Sequence, residues 1–164
     1  MPVPVRVEST VDGAVYLKKP GIAFSDLSVP SKVCPADFRS SWTPGWHGTS
    51  PAGSIGNGTI SGFYSRSGKT VTFSIELVLG STSVAPGYGM GFSLPLPAAS
   101  GKTFTCSVIS FDSSTSTYYA DTGVVSAQSI SLPRGNGYFG AASALPMAWS
   151  SGDTLRISGS YFVD

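Results

Sequence analysis

Charge is scarce in this sequence. Asp, Glu, Lys and Arg make up only 12% of its 164 residues, against roughly a quarter in an average soluble domain. The formal net charge is +1, and no basic run is longer than Lys18-Lys19. Nucleic-acid binding through phosphate neutralisation needs a concentrated basic face, so no nucleic-acid partner is expected. Long hydrophobic runs are missing as well. Nowhere do about 18 apolar residues follow one another, so no membrane insertion is expected. The opening Met1-Pro2-Val3-Pro4-Val5-Arg6 has no basic stretch leading into an apolar one, which predicts no Sec export in this form.

Metal-ligating residues are few. There is one histidine, His47, and two cysteines, Cys34 and Cys106. A zinc site needs three or four such ligands within reach, so neither metal nor cofactor is expected. The cysteines stand 72 positions apart (106 − 34) and could bridge. Without an export signal, two reduced, buried thiols are the expectation. His47 would have to serve any Ser-His-Asp triad, yet no Gly-x-Ser-x-Gly turn presents a nucleophile, and its place beside Trp46 and Gly48 suits a loop. The nine carboxylates could supply a glycosidase pair. Glu76, however, falls on the outward face of a predicted strand, and Asp112, Asp121 and Asp153 fall where Asp caps backbone amides. No catalytic residue is assigned, and the protein is expected not to be an enzyme.

Helical periodicity is also missing, and 20 glycines and 12 prolines would interrupt any long helix. What remains is strand signal. From Thr70 to Leu79, Val71, Phe73, Ile75, Leu77 and Leu79 alternate with mainly polar residues, the period-2 pattern of a half-buried strand. Thr59 to Tyr64 precedes it across Ser65-Arg66-Ser67-Gly68-Lys69, predicting an antiparallel hairpin rather than a phosphate-binding loop. The glycine string Gly87, Gly89, Gly91 lacks the dinucleotide-binding spacing and is read as a turn or a close approach. Asn57-Gly58-Thr59 is read as a turn rather than a glycosylation site.

Further strands are predicted at Val11–Leu17, Met90–Leu94, Thr103–Phe111, Thr117–Ala120, Val124–Leu132, Tyr138–Ala142 and Thr154–Val163. Trp42 to Gly58, with five glycines, two prolines and two tryptophans, reads as a winding hinge. The length suits one hydrophobic core. The expected fold is all-β, an antiparallel, jelly-roll-like β-sandwich over residues 46–164, preceded by an extended N-terminal attachment arm over 1–45.

The aromatics are the best candidates for contact with a ligand or partner: Trp46, Tyr88, Tyr118 and Tyr119 lie in or near turn-rich segments. Exposed rings there would bind sugars or proteins, and buried ones would fill the core.

The stretches GTISGFYSRSGKTVTFSIELVLGSTS (58–83), GFSLPLPAAS (91–100) and SGDTLRISGSYFV (151–163), with WTPGW (42–46) upstream, carry a resemblance. Over residues 42–164 the chain resembles a β-sandwich domain of bacteriophage tail-fibre, minor tail and other virion surface proteins, particularly of phages of actinobacteria. The resemblance implies a non-enzymatic virion structural protein assembled in the bacterial host cytoplasm and exposed on the particle surface. Its role would be head decoration, spike or small minor tail component. The implied partners are other capsid or tail proteins, further copies of itself with a trimer preferred, and a host cell-surface glycan. The roughly 45 residues before the domain are too few for a fibre shaft. A carbohydrate-binding module is the alternative.

Overall fold

The computed structural model describes the backbone of two short strands, β1 (Arg6–Ser9) and β2 (Val15–Lys18), and residues 39–135, 137–142 and 144–164 in full. The chain divides into two units, Met1–Phe38 and Arg39–Asp164. In the first, β1 and β2 pair antiparallel, with Arg6 opposite Lys18 and Ser9 opposite Val15. Of the predicted strand 11–17, Val15–Leu17 lies in β2; the remainder, Cys34 and most of the predicted arm lie outside the described residues.

The second unit is all-β and sandwich-like. Its main strands are β3 (Ser40–Trp42), β4 (Trp46–Thr49), β5 (Thr59–Ser67), β6 (Thr70–Val78), β7 (Tyr88–Ser93), β8 (Thr103–Asp112), β9 (Thr117–Ser126), β10 (Ser129–Ser131) and β13 (Thr154–Phe162). They form one nine-stranded sheet in the order β3-β5-β6-β13-β8-β9-β10-β7-β4. Two-residue strands β11 (Pro133–Arg134) and β12 (Gly137–Tyr138) pair beside it.

This order forces the sheet to curl. Nine strands leave eight gaps, so a flat sheet would separate β3 from β4 by about 38 Å. Yet Trp42 ends β3 and Trp46 begins β4, and four residue steps reach at most about 14 Å. The two edges of the sheet must therefore approach each other. Pro44, between them, is buried. Gly45 is fixed to β7: its amide donates to Ser93 Oγ at 2.6 Å, and its carbonyl accepts from the Ser93 amide at 2.9 Å. The segment predicted as a hinge thus begins at the last residue of one edge strand, Trp42, and contains the other, β4, and β3 lies upstream of the expected boundary at 45/46. His47 is part of β4 rather than a loop.

The core follows from alternation. Val71, Phe73, Ile75 and Leu77 of β6 point inward with Leu155, Ile157 and Tyr161 of β13, Val108 of β8, Ile130 of β10, and Met90 and Phe92 of β7. Burial of each such side chain is worth about 1.5–3 kcal/mol. The β5–β6 hairpin closes through Gly68 and Lys69, since Ser67 pairs with Thr70. Gly68 has φ +58°, as the first central position of a type II′ turn requires.

The strand boundaries near 120 depart from expectation. The sequence predicts a break at Asp121-Thr122-Gly123, but β9 runs unbroken to Ser126 and turns at Ala127-Gln128. Gly123 sits mid-strand opposite Cys106, where an added Cβ would lie 2.6 Å from Cys106 Sγ. It permits a close approach rather than a turn. The predicted strand 138–142 shrinks to β12.

Two aspartates fix one end of the sheet. Asp112 Oδ1 accepts from the Ser114 amide and hydroxyl at 2.9 and 2.7 Å. Hydrogen bonds, that of the Ser114 side chain foremost, hold its carboxyl below the ordinary value. Its stabilising contribution is present above the ordinary carboxylate range and lost as pH falls through the lowered value. Asp153 is fully buried. Its Oδ1 accepts from the Ser113 amide and hydroxyl, both at 2.9 Å, and its Oδ2 from the Ser150 amide and hydroxyl at 2.7 and 3.1 Å. Both aspartates cap backbone amides, as expected.

Cys106 is a free, buried thiol. Burial pushes it from 9.0 up to about 11, partly opposed by a backbone hydrogen bond at Gly123. Burial also raises the Tyr161 hydroxyl, which donates to the Leu96 carbonyl at 2.7 Å. The folded state holds both protons more tightly than the unfolded chain. For Cys106 the stability is therefore complete below pH 9.0 and lost as pH rises to about 11. Urea midpoints are expected to fall across that window, and Cys106→Ala should flatten part of the slope. An unchanged slope in the variant would assign the loss elsewhere.

Candidate functional site

Strands β5, β6, β13, β8 and β9 turn one set of side chains to the core and the other outward. The register sets the outward set in rows. Ser61, Glu76, Arg156, Ile109 and Ala120 form one row across the five strands, and Phe63, Ser74, Ser158, Ser107 and Thr122 form the next. A further row brings Thr72 Oγ1 within 2.9 Å of Ser160 Oγ. Hydroxyl groups thus recur at about the 4.8 Å interstrand spacing. Apolar side chains stand among them: Phe63 is 46% exposed, Ile109 43% and Phe162 56%.

Phe63 projects because its neighbours point the other way. Gly62 and Tyr64 face inward, Trp42 packs against both, and its indole meets the Tyr64 ring edge-on at 5.8 Å. Beside Phe63 an open cavity of about 410 Å³ is lined by Arg39, Phe63, Tyr64, Ser65, Thr72, Phe73, Ser74 and Ser158. On its other side a recess of about 200 Å³ is lined by Ser61, Phe63, Ser74, Ile75, Glu76 and Arg156. Arg156 Nε donates to Glu76 Oε1 at 2.8 Å, so these two exposed charges offset each other. Arg39 has no ion-pair partner among the described residues.

The four aromatics singled out from the sequence do not converge. Tyr118 and Tyr119 are successive in β9 and so point to opposite faces. Tyr118 is 67% exposed, tilted against Phe111 with ring centroids 4.7 Å apart. Tyr119 is half-buried beneath the Arg134 guanidinium, 5.7 Å from the ring centroid. Tyr88, 54% exposed, lies on β7. Trp46 is half-buried on the edge strand β4 and packs on the core.

Asp121, expected to cap a turn, lies within β9 instead, and its Oδ2 is 3.4 Å from Arg134 Nη1. Neither atom, nor Ser110 Oγ nearby on the inward face of β8, has a hydrogen-bond partner among the described residues. The contact is an ion pair without hydrogen-bond alignment. The sequon Asn57 is engaged in its turn: its Oδ1 accepts from the Thr82 amide at 2.9 Å, and its Nδ2 donates to Ser81 Oγ at 3.0 Å.

Arg39 and Phe63 were not legible as site residues, although the alternation Ile60, Gly62, Tyr64 already leaves Phe63 outside, between Ser61 and Ser65. Among the described residues no three His, Cys, Asp or Glu side chains come together to hold a metal ion, and no helix is long and apolar enough to cross a membrane. No protein family, curated protein or solved structure matches the chain.

Proposed function

We propose that this protein is a non-enzymatic structural component of a bacteriophage virion, exposed on the particle surface as a head decoration, spike or small minor tail protein. The observation that carries the reading is the outward sheet face. Phe63, Ile109, Phe162 and Tyr118 stand exposed on it among rows of hydroxyl groups, and a weakly charged face of this mixed kind supports contact with a partner protein or a host surface. The sequence resemblance over residues 42–164 supports the same reading. In it, residues before the domain attach the protein to capsid or tail, and the preferred assembly is a trimer.

The protein is expected to co-sediment with intact particles and to be labelled by antibody from outside. Sedimentation equilibrium of the free chain should give three copies. Recovery only as a free monomer, absent from purified particles, would sink the proposal. A second reading, a carbohydrate-binding module, is favoured by the cavity beside Phe63.

A further inference from the structure

We infer that the outward cavity over β5, β6 and β13 is a saccharide site selective for acidic sugars: a hydroxylated ring carrying one anionic group. This deepens the host-surface part of the proposed function and rests on it only for biological context.

Three features converge on that chemistry. The first is shape and floor. The cavity of about 410 Å³ falls in the size range of small-molecule sites, and Ser65, Thr72, Ser74 and Ser158 line it. Each hydroxyl can donate and accept, which suits a ligand that does both from every oxygen. The second is Phe63, whose exposed ring stands between the cavity and the smaller recess. An apolar ring face beside hydroxyls matches a sugar, with its C–H face on one side and hydroxyls at the rim.

The third is charge. Glu76 and Arg156 offset each other at 2.8 Å, whereas Arg39 lines the cavity without an ion-pair partner among the described residues. One uncompensated cation at one end of a hydroxyl-lined cavity selects a ligand with a single anion at the matching end. The same face fits other ligands less well. Nucleic acid needs several cations along its track, and an apolar peptide needs a continuous apolar floor.

The test is affinity electrophoresis of the full chain through gels containing polygalacturonate, a phosphorylated dextran, or neutral dextran. Retardation by at least one acidic polymer and not by dextran is expected. Comparing the two acidic polymers shows whether carboxylate or phosphate is the preferred anion. Phe63→Ala should abolish retardation. Arg39→Gln should weaken it about tenfold or more, the scale of a lost charge-assisted hydrogen bond, and should remove its salt dependence. Both side chains are exposed, and circular dichroism checks that each variant is folded. Equal retardation by dextran, no retardation by any polymer, or retardation unchanged in both variants overturns the inference. Particle co-sedimentation is read separately, so loss of the sugar site and loss of the virion reading remain distinguishable.

Discussion

Asp153→Ala is expected to lower the unfolding free energy by about 3–5 kcal/mol. The carboxylate is fully buried and accepts four hydrogen bonds, two each from Ser113 and Ser150. Its removal leaves two backbone amides without their acceptor, each costing about 1–3 kcal/mol. Those amides belong to the β8–β9 turn and to the segment entering β13, so one residue ties together loops 40 positions apart. Asp153→Asn retains one carbonyl oxygen but turns an amino group toward one pair of donors, and should cost about half as much. Urea denaturation of the three proteins, with m values compared, measures this directly. A loss below about 1 kcal/mol for the alanine variant would mean that the loops hold without the carboxylate.

Gly62→Val should cost about 2–4 kcal/mol for a different reason. Gly62 pairs with Ile75 on one side and Trp42 on the other. A Cβ added there would lie 2.6 Å from two carbons of the Trp42 ring. The indole must leave, and its packing against Tyr64 and the core goes with it. Trp42→Ala removes the same contact from the other partner, so the double variant should cost little more than either alone. A red shift of tryptophan emission in Gly62→Val would report the displaced ring. Full stability with unshifted emission would place the indole elsewhere.

The fold was legible wherever local pattern and tertiary role agree. The alternation of β6 and β13, and the glycine turn between β5 and β6, state both the strand and the face it buries. Legibility failed where a residue serves a distant neighbour. Gly123 reads as punctuation, but it makes room for Cys106 on the adjacent strand. The Gly- and Pro-rich stretch 42–58 reads as loop, but it holds β4, whose partner β7 lies some 40 residues away. The candidate site was less legible still. Its floor combines β5 and β6 with β13, and Ser158 joins Ser74 only through a pairing that spans more than 80 positions. Tyrosines draw notice in the sequence as possible platforms, whereas the ring beside the cavity is Phe63, which periodicity alone would have placed outside.

The position of β3 also sets how the sheet carries force. It is a three-residue edge strand held by β5 alone, whereas β13 lies between β6 and β8 with neighbours along much of its length. Tension applied between residues 39 and 162 would pull equally on both, and the two resist it unequally. The edge strand would peel first, with the Trp42 indole drawn off Gly62 as the initial event, while β13 stayed embedded. The unit would then yield by a short extension at its front edge before its core gave way.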